Sequence, residues 1–271
     1  MLFFSSNRKS NLKMRNCPIC KSNNNVEIKK YSTPLWKIVS CKDCKLVYLN
    51  NPPGYNSLKE DFAWEKTSIK EERFRASNQP ILHRADLATR WRHKIGRKPQ
   101  SLLYSEWFKN GYLLNVGCAA AEVSYPGFTQ FGIEISKELA SQANANLKDT
   151  GGYCINGAGS EAITKFDNNF FDGIIMRSYL EHEEYPLEVL IQARRIIKET
   201  GKIYIRVPNF NALGRKIFQK NWVGFRYPDH VNYFNVTTLS DIANRTNFKV
   251  HLLNPIRLPF DDNINALFEP I

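Results

Sequence analysis

The sequence predicts an α/β fold, a largely parallel sheet with helices on both faces, preceded by a small cysteine-rich module and a helical segment. Three observations carry this expectation. The run Leu113-Leu114-Asn115-Val116 breaks into the small residues Gly117-Cys118-Ala119-Ala120-Ala121, and a second apolar run, Phe131-Gly132-Ile133-Glu134-Ile135, contains a carboxylate near its end. That order reads as strand, ligand loop, connection, strand. Apolar runs then alternate with segments of helical period through the second half, as βαβ units require. Finally, Cys17-Pro18-Ile19-Cys20 and Cys41-Lys42-Asp43-Cys44 place two C-x2-C pairs twenty residues apart.

A chain of 271 residues that is 42% hydrophobic suits one main domain with a small accessory module. We expect a ribbon over residues 15–50, a helical cap or linker over 51–110 and the main domain over 111–271. No apolar run approaches the length of a membrane span, and Met1-Leu2-Phe3-Phe4 is too brief for a signal-peptide core, so a cytoplasmic location is expected. The net charge of +12 is uneven: residues 1–110 hold 22 Lys and Arg against 9 Asp and Glu, and the rest hold 16 against 17. A solvated basic face is the favoured reading over an anionic partner such as nucleic acid, membrane or acidic glycan. No aromatic-interleaved RNA-reading motif accompanies the charge.

In chain order, residues 1–16 are polar and basic, as expected of a fraying terminus. Four thiolates at the spacing of Cys17, Cys20, Cys41 and Cys44 can surround a tetrahedral Zn²⁺ from two tight turns. Such a centre has no open position, so its zinc is structural; a disulfide pair is the alternative. Val26–Ile28, Trp36–Val39 and Leu46–Leu49 are the expected ribbon strands, and Asn51-Pro52-Pro53-Gly54 breaks the module off. From Ser57 to about Lys109, charges mix with Phe62, Trp64, Ile69, Phe74, Leu82 and Trp91, a pattern of two or three amphipathic helices over the ligand cleft. The cluster Arg90, Arg92, Lys94, Arg97 and Lys98 reads as a solvated face, with an anionic acceptor as the alternative. Pro126 and Gly127 leave room for one helical turn between Ala119 and Tyr125.

Strands follow at Gly152–Ile155, Phe170–Met176, Lys202–Asn209 and Lys249–Leu253, and helices at Pro186–Glu199 and from Val236 with a capping-box start. Gly201 is placed as the left-handed cap of the first of these helices. The tail after Pro255 shows no clear final strand. Cys118 and Cys154 read as small buried residues.

The segment FDGIIMRSYLEHEEYPLEVLIQARRIIKETGKIYIRVPN resembles the central part of ubiquinone-biosynthesis-type class I S-adenosylmethionine-dependent methyltransferases, a Rossmann-like fold. The Leu180-Glu181-His182 triplet after the fourth strand, the helix from Pro186 and the glycine before the fifth strand recur there in this order. Trp222-x-Gly224, Pro228-x-His230 and Tyr233-Phe234 resemble members associated with surface-polysaccharide pathways. The cofactor loop departs from the family's Asp-x-Gly-Cys-Gly-x-Gly form: Asn115, Ala119 and Ala121 replace an acid and two glycines. Glu134 follows Gly117 by 17 positions, a short connection.

The resemblance implies S-adenosylmethionine as cofactor, held by Gly117, Cys118, Ala119, Glu134, Ile135, Ser160, Glu161 and Arg177. Glu134 would meet the ribose hydroxyls, and Gly159–Ala162 the adenine. It also implies O-methylation of a small or carbohydrate-linked acceptor. A hydroxyl acceptor needs a base of near-neutral pKa, which makes His182 and His230 the candidates, with Glu181 orienting His182 or contributing to a metal site. The structural alternatives are a helix-capping His182 and a loop-bonded His230. Ser178, three positions before Glu181, stands where some relatives carry a carboxylate that helps hold a divalent cation, which argues against metal assistance. Trp222, Phe225 and Tyr227 form either a stacking wall for the acceptor or the core of their own loop. Three rivals stand beside this reading: an NAD-dependent oxidoreductase, disfavoured without a G-x-G-x-x-G; a degenerate, non-catalytic fold; and an RNA-directed enzyme using the basic front half.

Overall fold

A computed structural model describes residues 14–54, 77, 80, 84 and 98–271. Most of the expected helical cap, with Arg90, Arg92, Lys94 and Arg97, lies outside the described residues.

Three short strands open the chain: β1 (Asn25–Glu27), β2 (Ile38–Cys41) and β3 (Val47–Leu49), paired antiparallel in that order. Each matches an expected ribbon strand to within three residues. Helix α1 (Gln100–Phe108) leads into the main sheet. Its strands are β4 (Gly111–Val116), β5 (Phe128–Glu134), β6 (Cys154–Asn156), β7 (Phe171–Arg177) and β8 (Ile197–Pro208). The two-residue β9 (Asn232–Tyr233) precedes β10 (Phe248–Leu252) and β11 (Asn263–Pro270).

The seven-stranded order is β10-β11-β8-β7-β4-β5-β6. Strands β4 to β8 are parallel, whereas β11 runs antiparallel between β8 and β10. Chain order reverses at the β4–β7 junction, because β5 and β6 build outward on one side and β7 and β8 on the other. Ligands bind outside the carboxyl ends of strands at such a junction.

The strands' alternation sends side chains to two apolar layers. Leu114, Val116, Ile174, Met176, Ile203 and Ile205 share one core with Val189, Leu190 and Ile196 of α4 (Pro186–Ile196) and with Leu239 and Ile242 of α6 (Val236–Arg245). On the other face, Leu113, Ile175, Tyr204 and Leu267 pack with Tyr104 and Phe108 of α1. Between these helices lie α2 (Lys137–Leu147), α3 (Gly159–Ala162) and the six-residue α5 (Leu213–Phe218). The Ser136 hydroxyl caps α2 by accepting from Leu139 N, and Asn235 and Thr238 form the capping box of α6.

Four details differ from the sequence reading. No helical turn follows β4: Ala119 and Ala121 both take φ +49°, which a right-handed helix does not contain. Helix α4 stops at Ile196, and Gly201 lies inside β8. There the β7–β8 register shifts, and a Cβ on Gly201 would stand 3.0 Å from Asp172 O, so the glycine serves a bulge and not a helix cap. A final strand does exist, carried by the buried Ile264, Ala266, Leu267 and Phe268 of β11. Lastly, β9 leaves the aromatic loop to pair with β3, Val47 facing Tyr233 and Tyr48 facing Asn232, so the ribbon sheet has four strands.

Candidate functional site

The β4 loop begins the site. Gly117 takes φ +74° at the strand's end, and Ala119 and Ala121 hold conformations usually left to glycine. Glu134 ends β5 almost fully buried. Its Oε2 accepts from Ala119 N at 2.9 Å and its Oε1 from Ser136 N at 2.9 Å. The carboxylate therefore braces the loop through one oxygen while the other marks the turn into α2. Cys118 packs behind it against Cys154, Sγ to Sγ 3.6 Å, both buried as expected; the hydrogen bond with the Cys154 thiol, and then burial, push the Cys118 pKa up, which makes it an inert filler. Ile135 is half-buried beyond Glu134, Ser160 is half-buried in α3 and Glu161 is exposed there.

Arg177, exposed at the end of β7, donates from Nη1 to Gln100 Oε1 at 3.3 Å. With Gln100, Tyr104, Asn115, Gly117 and Tyr125 it lines a cavity of about 230 Å³ beside the β4 loop. The side chain of Tyr179 crosses from this loop to α3. A Cβ on Gly117 would stand 3.2 Å from Tyr179 Cδ2, and one on Gly159 would collide with its hydroxyl, which donates to Glu183 Oε2.

The turn after Tyr179 carries the charged centre. Glu181 is only 2% exposed, and its Oε2 has no hydrogen-bond partner among the described residues. Burial raises its pKa. His182 packs edge-on against His230, with ring centroids 4.6 Å apart. His182 Nδ1 lies 3.0 Å from Asp229 O and 3.1 Å from Asp229 Oδ1, while His230 Nδ1 donates to Gly224 O at 2.8 Å. Both Nε2 atoms are thus the nitrogens left for other work.

Burial opposes the His182 cation, yet Asp229 and Glu181 outweigh it and raise its pKa above the ordinary histidine value. Burial also opposes the Asp229 carboxylate, but His182, His230 and Arg226 hold its pKa down at about 2. His230, buried and beside His182, is pushed well below the usual range and stays neutral. The structure therefore brings Glu181, His182 and His230 together: a donor atom from each lies within 4.8 Å of the others, a carboxylate and two imidazoles suited to a divalent cation.

The loop of Trp222, Phe225 and Tyr227 does not face outward as a wall. Trp222 and Phe225 are buried with Tyr31, Phe210 and Tyr233, and Tyr227 donates to Tyr31 O at 2.8 Å. This aromatic core joins the loop to the ribbon. Two residues of the site carried no sequence signal of their own, Asp229 and Tyr179, because their partners are tertiary.

A family model described as a methyltransferase domain matches residues 83–253, well over half of the chain. The chain belongs to this methyltransferase family. It is similar to an uncharacterized protein of Methanocaldococcus jannaschii, 23% identical over 136 residues, which are 50% of this chain and 63% of that protein. The chain thus spans less than two thirds of that relative's length. A SAM-dependent methyltransferase from Archaeoglobus fulgidus superposes at TM-score 0.52 and 17% identity over 74% of this chain and 98% of the other. A TehB-like SAM-dependent methyltransferase from Corynebacterium glutamicum gives 0.47 and 15% over 70% and 100%. The first of these shows a shared Rossmann-like fold.

In this member of the family the β4 loop leaves room for a ligand beside Gly117. Ala119 and Ala121 both take positive φ, and the buried Glu134 carboxylate sits at the carboxyl end of β5. At the front of the molecule Cys17, Cys20, Cys41 and Cys44 cluster, their Sγ atoms within 4.8 Å of one another and the pairs Cys17–Cys44 and Cys20–Cys41 at 3.4 Å. No disulfide joins them. Among the described residues no helix is long and apolar enough to cross a membrane.

Proposed function

We propose that this protein methylates a hydroxyl group of a small or carbohydrate-linked metabolite, with S-adenosylmethionine as donor and His182 as general base. The observation that carries the reading is the Asp229–His182 pair at the carboxyl edge of β7, where Asp229 fixes one imidazole nitrogen and raises the basicity of the other. When bound, the cofactor supplies an electrophilic methyl group on sulfur. Gly117, Cys118, Ala119, Glu134 and Ile135 would hold and orient it, with Ser160 and Glu161 on the side of its base and Arg177 on the side of its carboxylate. His182 Nε2 would take the acceptor's proton while the methyl–sulfur bond breaks and the acceptor oxygen gains the methyl, and the imidazolium would return the proton to water. Glu181 and His230 keep the dyad's surroundings polar and fixed.

A second reading keeps the methyl donor and replaces the base. Glu181, His182 and His230 would hold a divalent cation that lowers the acceptor's pKa, His230 taking the place that Ser178 leaves open. The orphaned Glu181 Oε2 favours it. We further infer structural zinc at the four cysteines, since a tetrahedral site with Zn–S bonds of about 2.3 Å brings sulfurs to about 3.8 Å. Free thiols there suit a reducing, cytoplasmic setting.

Calorimetric titration with S-adenosylmethionine and S-adenosylhomocysteine tests the donor: binding that Glu134→Ala abolishes supports it, and no binding by folded protein refutes it. An acceptor screen with His182→Asn then tests the base. A loss of about 10²- to 10⁴-fold in kcat is expected. Activity abolished by a chelator that leaves the four-cysteine zinc in place would select the cation reading.

A further inference from the structure

Six large apolar side chains stand in water on two adjoining segments. Leu213, Ile217 and Phe218 lie on α5, Val223 follows it, and Ile256 and Phe260 project from the connection between β10 and β11 at 91% and 76% exposure. Leu213 N donates to Pro259 O at 2.8 Å and Asn209 Nδ2 to Leu258 O at 2.9 Å, so the two segments form one continuous surface.

Its exposed charges are cations, and its two carboxylates, Asp261 and Asp262, are half-buried. Lys216, Lys220 and Arg257 are exposed around the apolar residues and meet no carboxylate among the described residues. The nearby acids bond to neutral donors of the fold itself: Asp262 Oδ1 accepts from Trp222 Nε1 at 3.0 Å and Asp261 Oδ2 from Asn254 Nδ2 at 2.9 Å. Arg215 bonds to Phe210 O and the Tyr31 hydroxyl instead of joining the rim.

We propose that Ile217, Phe218, Ile256 and Phe260, ringed by Lys216, Lys220 and Arg257, dock this protein on an anionic lipid bilayer surface. Protruding knobs, in contrast to a groove, suit a soft interface that closes around each side chain. Cations beside them suit anionic headgroups, each adding roughly fivefold to binding near such a surface. The segments follow the carboxyl end of β8, which is the edge where Gly117, Glu134 and Tyr179 gather. Docking therefore turns the cleft toward the lipid. Nothing in this inference depends on the acceptor or the base, because the test reads binding alone.

The test is co-sedimentation of the zinc-loaded full chain with vesicles of phosphatidylcholine alone and of about three parts phosphatidylcholine to one part phosphatidylglycerol. We expect binding to the anionic vesicles that weakens with salt. It should fall at least tenfold in Ile256→Ser/Phe260→Ser and at least fivefold in Lys216→Gln/Lys220→Gln, with unchanged melting temperatures because all four side chains are exposed. No binding by the wild-type chain overturns the proposal. So does binding that both variants retain in full, which would put the contact elsewhere. A solution dimer that the Ile256→Ser/Phe260→Ser variant dissociates also overturns it, since a second copy would then be the occupant.

Discussion

Asp229 is the side chain whose removal should be most informative. With its pKa at about 2 against 3.8 for an unperturbed aspartate, it stabilises the fold by about 2 kcal/mol at neutral pH. That contribution is complete above the unfolded value and is lost as pH falls through the folded one. His182 has the opposite sign: its raised pKa stabilises the fold below the ordinary histidine value, and the contribution fades as pH rises through the folded value. Because the base acts when neutral, the acid limb of kcat/KM should lie above pH 6.5. Asp229→Asn should move that limb to lower pH while lowering kcat, and a limb that stays in place would remove His182 from the reaction. Gly159→Ala belongs to the same scale. Its methyl would enter the space of the Tyr179 hydroxyl, so the tyrosine must leave Glu183, with an expected loss of about 1–3 kcal/mol by thermal unfolding. At this scale the sequence was legible where a group's position follows from its strand: Glu134 at the end of β5, His182 after β7. Asp229 and Tyr179 stayed hidden because the contact that gives each its role is tertiary, 47 residues away for Asp229 and His182.

Among elements, β9 ties the front module to the charged turn. Arg15 donates to Leu49 O, Val231 O, Asn232 Oδ1 and Glu184 O, while Asn232 Nδ2 donates to Leu180 O and Glu183 O, and Glu181 O accepts from Val231 N. The ribbon therefore holds the backbone on both sides of His182 from a distance. Removing zinc should raise amide exchange at Val231–Tyr233 as well as in the ribbon, and exchange confined to residues 17–44 would break that link. Central strands such as β7 were readable from their continuous apolar runs, since both faces are covered. Strand β11 was not, because Asn263, Asn265 and Pro270 interrupt its pattern, and only the vacant edge of β8 makes a strand of it. The pairing of β9 with β3 could not be read at all, as two residues carry no period.

At the scale of the molecule, the ribbon does not fold around a core of its own. Ile19, Leu46 and Tyr48 belong to the apolar cluster that also contains Leu114, Ile174 and Phe248. Zinc-loaded protein should therefore melt in one calorimetric transition, and chelation should shift the whole of it downward; two separated peaks would show independent units. The basic front half is not solvated throughout: Arg15 is half-buried and donates to Leu49 O, Glu184 O and Val231 O. The placement of β11 also orders events during synthesis. Among the described residues, strand β10 emerges before the one strand that pairs with it, and β8 waits with an open edge until the same eight residues appear. A nascent chain halted between Leu252 and Asn263 would carry β10 unpaired on both sides and β8 with a bare edge, which makes that interval the one in which it most needs a chaperone's cover.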